Sequence, residues 1–409
     1  MILGRCDVAV TGLGLVTPAG IGVLESWKSV LAGRSMATAD PALAGMPVDF
    51  TCRVPGFDAD ELLGRRTAWR LDRYVHLALV AAREAILDSG LDPAEWDSTR
   101  VGVVMGNALG GVRTFEEQHN TMLREGTKGV SPMLIPMIGI NMVAGYIAID
   151  CQAQGPNLVT TTACASATTA IGTARELIRT GRCDIVIAGG AEAGLTRPVV
   201  AGFSRMGALS GRVHDPAAAS RPFDRDRDGF VAAEGAGVLV LERMEHAVAR
   251  KARVRARLAG YGASADAHHA TAPDPTGDGV AQAIRMALHD ADFEPREVDH
   301  VNAHGTSTPL NDVTEAKALR RVFGDGASVT STKGVTGHSL GASGAIEAAC
   351  TVLAIEHGTV PPTANLERQD PAIDLDVVAG APRAQRISVA VSNSFGFGGQ
   401  NAVLVLGAA

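Results

Sequence analysis

Residues 157–176 read NLVTTTACASATTAIGTARE, and the fold can be worked out from how this stretch divides. Leu158 to Thr162 is apolar and β-branched, which reads as a buried strand. Ala170, Ile171, Ala174, Leu177 and Ile178 then recur at helical spacing. Cys164 therefore falls in a strand-to-helix turn. There the unpaired N–H groups and positive dipole end of a helix favour a thiolate, so a lowered thiol pKa is expected. The small neighbours Ala163, Ala165 and Ser166 leave room for a substrate to reach the sulfur. A lone cysteine is more often a buried structural residue, so its meaning depends on the rest of the chain.

The same unit recurs along 409 residues. Strands are expected near Asp7–Thr11, Val101–Met105, Leu158–Thr162 and Ile185–Ala188, and again near Val254–Leu258, His300–Ala303, Ser328–Ser331 and Ser388–Val391. The glycine-rich strand ends correspond. TGLG answers AGYGAS, MGNALGG answers NAHGTST, TTTACASATTAIG answers TSTKGVTGHSLGASGAIEA, and AGGAEA answers SNSFGFGG. Two copies of one βαβ-rich unit follow, residues 1–250 and 251–409, with helices covering parallel or mixed sheets. Function should collect where corresponding strand ends face each other.

Composition narrows the class. A 46% hydrophobic content supports a large core. A net charge of −7 with 4% aromatic residues argues against a general nucleic-acid surface. The six cysteines, at 6, 52, 151, 164, 183 and 350, form no CxxC pair and no metal-ligand spacing, so no metal or cofactor is expected and a reducing cytoplasm fits best. No apolar run approaches the roughly 18 residues of a membrane span.

Leu71 to Ser89 places apolar residues at 71, 75, 78, 79, 82, 86 and 87, one face of a long helix closed by Gly90. Arg65, Arg66, Arg70 and Arg73 lie at or before its start and form a candidate docking patch for an acidic partner. From Arg197 to Asp228 a long ordered loop is expected to cap the site. Its DRDRDG run lacks the spacing and distant Glu of a calcium loop.

Three further segments set reactive residues beside glycine at strand ends: AHGTST (303–308), STKGVTGHSLGASG (331–344) and NSFGFGGQN (393–401). His304 and His338 occupy matching positions of the duplication, with Cys164 at a third. Lys333 and Glu347 are an expected ion pair. Lys333 could otherwise serve as a Schiff-base amine, but a carboxylate partner keeps it charged and unreactive.

These segments resemble the condensing enzymes called β-ketoacyl-acyl carrier protein synthases. TACAS around Cys164, AHGTSTPLND around His304, KGVTGHSLGASGAIEA around His338 and NSFGFGGQN carry the resemblance over essentially the whole chain. It is nearest to the elongating type II class of fatty-acid and polyketide assembly. The resemblance implies an α/β, duplicated thiolase-like fold, layered α-β-α-β-α with mixed sheets. It implies that Cys164 carries the growing acyl chain and that the N–H groups of Cys164 and Phe397 form an oxyanion hole. His304 and His338 would stabilise the enolate from malonyl-carrier protein, with Lys333 and Glu347 orienting His338. Thr306 and Thr308 would hold the phosphopantetheine arm, and Phe203 and Phe397 would gate the mouth. Leu109 and Met133 would line the acyl pocket or reach it from a second subunit, and His269 and Thr271 would lie at its mouth. The implied partners are acyl carrier protein and either a second copy or a cysteine-less homologue.

Three other readings compete. A thiolase would place a second cysteine in the last glycine-rich turn, where NSFGFGGQN has none. A non-catalytic chain-length partner would lack the nucleophile. The initiating synthases use Cys, His and Asn, for which Asn393 is available, but the pair AHGTST and GHSLG favours the elongating class.

Overall fold

The computed structural model describes residues 7–409, so Cys6 lies outside the described residues. Ten strands carry the architecture: β1 (Val8–Thr17), β2 (Val101–Gly106), β3 (Asn157–Thr160), β4 (Ile185–Glu192), β5 (Gly235–Arg243), β6 (Ala256–Ala265), β7 (His300–Asn302), β8 (Ser328–Thr330), β9 (Val389–Gly396) and β10 (Gln400–Gly407). They are hydrogen-bonded in the order β8-β7-β9-β10-β6-β1-β5-β4-β2-β3, and the short strand Asp376–Val377 extends the β8 edge.

The order reads alike outward from the centre. β1 pairs antiparallel with β5, β5 antiparallel with β4, β4 parallel with β2, and β2 parallel with β3. β6, β10, β9, β7 and β8 repeat that series with the same senses. Among the described residues, the two five-stranded sets are joined where Ala9 and Val10 of β1 pair with Arg257 and Ala256 of β6. The fold is the duplicated α/β thiolase-like one.

Burial explains the layers. The helices Ser166–Arg179 and Ser343–His357 lie in the middle layer, and every residue from Ser343 to Ile355 is buried. A helix apolar all round must be enclosed by protein. The Arg73–Ser89 helix packs its apolar face outside the first set of strands, and Asp278–Ala291 and Pro309–Phe323 do so outside the second.

Four details differ from expectation. The TGLG and AGYGAS glycines lie inside β1 and β6, not in turns. A Cβ on Gly12 or Gly14 would collide with the carbonyls of Ala85 and Ala81, and one on Gly260 or Gly262 with those of Ala287 and Ala283. These glycines let an outer helix lie flush on its strand. Two strands without a turn motif of their own, β5 and β10, complete each set. β3 is an exposed edge and not a buried strand, with Leu158 43% accessible. The region 197–228 opens with a helix, Arg197–Arg205, before turning irregular. Asp224 anchors that remainder, accepting from Arg221 Nε at 3.0 Å and from the N–H groups of Asp226, Glu367 and Arg368 at 2.9–3.0 Å. Its carboxylate is used internally, which accounts for the acidic run without calcium.

Candidate active site

Cys164 sits in a 3-10 turn, Ala163–Ala165, that opens the Ser166–Arg179 helix. Ala163 adopts φ 49°, and Ser166 fastens the turn, accepting from Thr162 N at 2.9 Å and donating to Ala163 O at 2.7 Å. The β9–β10 turn presses against it: a Cβ on Gly396 would lie 3.1 Å from Cys164 N. Phe397 N–H donates to the thiol. Burial pushes the thiol up to about 12, against the opposing pull of Lys333 and that N–H. The thiol thus stands above its ordinary value and not below it, against expectation, because desolvation of a sulfur set in the cavity wall outweighs the helix end.

His304 follows β7. Glu315, buried on the Pro309–Phe323 helix, takes the N–H groups of His304 and Gly305, both at 2.8 Å, and Asn393 Nδ2 at 3.2 Å. Lys333 Nζ donates to His304 O at 2.6 Å and lies 3.4 Å from Nδ1. An ammonium can only donate, so Nδ1 accepts and the ring proton belongs on Nε2. Lys333 also forms the expected ion pair with buried Glu347. Burial raises the Glu347 carboxyl to about 7, while the Lys333 charge pulls it down. The expectation that this pair orients His338 is corrected: Lys333 touches His304.

His338 has other supports. Its backbone bonds to Val231 and Ala233, and Nδ1 lies 2.9 Å from Ser343 Oγ. Phe230 stands edge-on at 5.3 Å, and the two imidazoles meet edge to face at 5.4 Å. Burial, then the Lys333 charge, holds both histidines well below their ordinary pKa. They are neutral at pH 7.

The ligand atoms of Cys164, His304 and His338 all lie within 4.8 Å of one another, the one such group of metal-ligating side chains among the described residues. The donor set would suit a thiophilic ion, but such an ion would occupy the sulfur that the site presents. The group lines a cavity of about 640 Å³, together with Leu109, Phe203, Thr271, Thr306, Thr308 and Phe397. Thr306 and Thr308 share a hydroxyl contact of 2.9 Å, and Thr308 caps the Pro309–Phe323 helix. Phe203 lies 6.4 Å from Phe397 and 5.4 Å from Phe230.

Some expected residues are elsewhere. His269 is exposed, and its Nδ1 accepts the N–H groups of Thr271 and Ala272 at 3.1 Å, so it shapes the loop while Thr271 alone lines the cavity. Met133 does not line this chain's cavity; it stands at the N-cap position of the short Leu134–Ile138 helix. Arg65, Arg66 and Arg70 are exposed, on or just after a separate short helix, and Arg70 stacks over Trp69 at 5.1 Å. Arg73 is no docking residue: it grips buried Glu234 through two bonds of 2.7 and 2.6 Å. Sequence reasoning passed over Phe230, Glu315 and Ser343. Ser343, five residues beyond His338 in GHSLGAS, was within reach of a helix-start argument, whereas Phe230 and Glu315 carry no local signal.

The chain belongs to the β-ketoacyl synthase family, a family of condensing acyltransferases. Its N-terminal domain model matches residues 6–247 and its C-terminal domain model residues 255–367. A 3-oxoacyl-[acyl-carrier-protein] synthase 2 of Synechocystis is 46% identical, covering 98% of both chains. Among solved structures, the ishigamide ketosynthase/chain length factor superposes with a TM-score of 0.94 at 36% identity, over 99% of this chain and 100% of that one. A type II PKS ketosynthase, AntDE, solved with its acyl-carrier protein AntF and bound to the hexaketide, matches at TM-score 0.92 and 34% identity over the same shares.

Proposed function

We propose that this chain joins an acyl group held on Cys164 to the two-carbon unit of malonyl-acyl carrier protein, releasing carbon dioxide and 3-oxoacyl-acyl carrier protein. The step extends a fatty-acid or polyketide chain. The convergence of one thiol and two neutral imidazoles within 4.8 Å at a single cavity carries this reading.

In the first half-reaction Sγ attacks the acyl thioester and the pantetheine sulfur leaves. One thiol loses a proton as another gains it, so a neutral imidazole can relay the proton with no net change. The N–H groups of Cys164 and Phe397 receive the developing oxyanion. In the second, His304 and His338 donate to the malonyl thioester oxygen, carbon dioxide departs, and the enolate carbon attacks the acyl carbonyl, expelling Sγ. Neutral donors suit this step because they stabilise the enolate without quenching it. Lys333, with Glu347, positions His304, and Ser343 positions His338. Thr306 and Thr308 hold the pantetheine arm, with Phe203 and Phe397 beside its entrance.

We assign 1–250 and 251–409 as the two halves. The exposed edge β3, with Phe115, Leu123, Ile135 and Ile149 accessible beside Leu158, supports pairing with a second chain of this fold, either another copy or a cysteine-less homologue. Arg65, Arg66 and Arg70 would receive acyl carrier protein. The five described cysteines are free and buried, which suits a cytoplasmic enzyme, and no described helix is long and apolar enough to cross a membrane.

The test is sequential loading. Acyl-carrier protein should leave its acyl mass on the Cys164 peptide, and malonyl-carrier protein should then discharge it as 3-oxoacyl product. An adduct on any other cysteine would overturn the assignment.

A further inference from the structure

Glu192, at the end of β4, is fully buried and has no part in the proposed chemistry. Its carboxylate instead gathers backbone. Oε2 accepts Ala108 N–H at 2.9 Å and Oε1 accepts Asn107 Nδ2 at 3.4 Å; burial raises the carboxyl to about 7, while the N–H groups of Leu109, Ala193 and Gly341 draw it down. Asn107 completes the clasp, with Nδ2 donating to Ala191 O at 2.6 Å and Oδ1 accepting Gly110 N–H at 2.6 Å. The loop after β2 is thus tied residue by residue to β4 and to the turn beyond His338.

That loop carries Leu109 into the cavity wall. The leucine leans on Gly194, where a Cβ would stand 2.5 Å from Leu109 Cδ1. Two features therefore fix one apolar side chain: a carboxylate holds its backbone and a missing Cβ seats its tip. A carboxylate can meet these donors with both of its oxygens, whereas a glutamine would turn its own NH₂ towards them.

We propose that Glu192 and Gly194 are positioning residues that hold Leu109 back from the cavity and so set the length of acyl chain that Cys164 accepts. This rests on the proposed function, in which the acyl chain on Cys164 extends into that cavity. With the clasp loosened or the seat filled, Leu109 moves inward, and long chains suffer while short ones do not.

The experiment compares acylation of Cys164 by decanoyl- and acetyl-pantetheine, followed by mass spectrometry. Glu192→Gln and Gly194→Ala should each lower the decanoyl-to-acetyl rate ratio about tenfold. Gly194→Ala disturbs no hydrogen bond of the clasp, so it serves if Glu192→Gln does not fold. In a Leu109→Ala background neither change should move the ratio, since the side chain they position is gone. An unchanged ratio, or an equal fall in the Leu109→Ala background, would overturn the inference while leaving the function intact. Absence of any Cys164 adduct in the unsubstituted chain would overturn the function, and this inference with it.

Discussion

The turn at Cys164 and the turn beyond His338 are built alike and used differently. In each, a strand leads to a non-glycine residue at positive φ, Ala163 at 49° or Leu340 at 43°. That residue begins a three-residue 3-10 turn, and then comes a central helix opening on serine, Ser166 at φ −53°, ψ −50° and Ser343 at −52°, −48°. Cys164 corresponds to Gly341. The first copy keeps a side chain there, and it is the nucleophile. The second lacks even a Cβ, which would lie 2.7 Å from Ala108 N and 2.9 Å from Glu192 Oε2. The approach to the turn differs too. Two residues, Thr161 and Thr162, join β3 to Ala163, whereas nine, Ser331–Ser339, join β8 to Leu340. The longer path carries Lys333 and His338. Duplication supplied two equal frames, and chemistry entered by one side chain in the first and by extra chain in the second.

The comparison is broken most directly at the sulfur. Cys164→Ala should lower condensation at least about 10³-fold, read as 3-oxoacyl product, while carbon dioxide release from malonyl-carrier protein continues because the second turn is intact. Conversely, His304→Ala or His338→Ala should slow carbon dioxide release about 10²- to 10³-fold and acylation of Cys164 far less. Mutants that still decarboxylate but cannot be acylated would falsify this division.

The state of the thiol offers a sharper test. With the sulfur pushed up to about 12, the thiolate fraction grows with every step in pH below that value. Alkylation of Cys164 by iodoacetamide should then rise about tenfold per unit from pH 7 to 10; a plateau near neutrality would mean that the helix end governs after all. A smaller effect separates the two frames themselves. Gly341→Ala should cost about 1–3 kcal/mol by overpacking, measured by denaturant unfolding, whereas Ala163→Gly should change stability by no more than about 1 kcal/mol. Equal costs would remove this difference between the two frames.

The smallest effect lies at the rim, remote from both turns. Arg66→Glu with Arg70→Glu should raise the KM for acyl carrier protein about two- to fivefold, more at low salt, because rim charges act through screened attraction. Turnover of a small acyl-pantetheine should hold steady. An equal loss on both substrates would make these arginines structural.

Much of this was legible in the chain. Cys164, His304 and His338 stand out because glycine and small residues surround reactive groups at strand ends, a local pattern. The Lys333–Glu347 pair was visible too, but not the imidazole it serves, since the choice between His304 and His338 depends on how β7 and β8 lie side by side. Arg73 looked like its neighbours until buried Glu234, 161 residues away, claimed it. The pKa of Cys164 was misjudged for the same reason: a helix start is written in the sequence, whereas enclosure by β9 and β10 is not. Glycine was the most ambiguous letter, marking turns at 396–399 and flush packing inside β1 and β6.

Those flush glycines imply something about inheritance. Gly12 and Gly14 face their helix as Gly260 and Gly262 face theirs, so the same constraint has been written twice into one gene and must be satisfied independently in each place. A saturation library of this chain should return two matched pairs of intolerant positions, 248 residues apart in the sequence, each silent about catalysis. Such echoes would let the ancestral half be traced through sequences in which the nucleophile and the histidines have long been replaced.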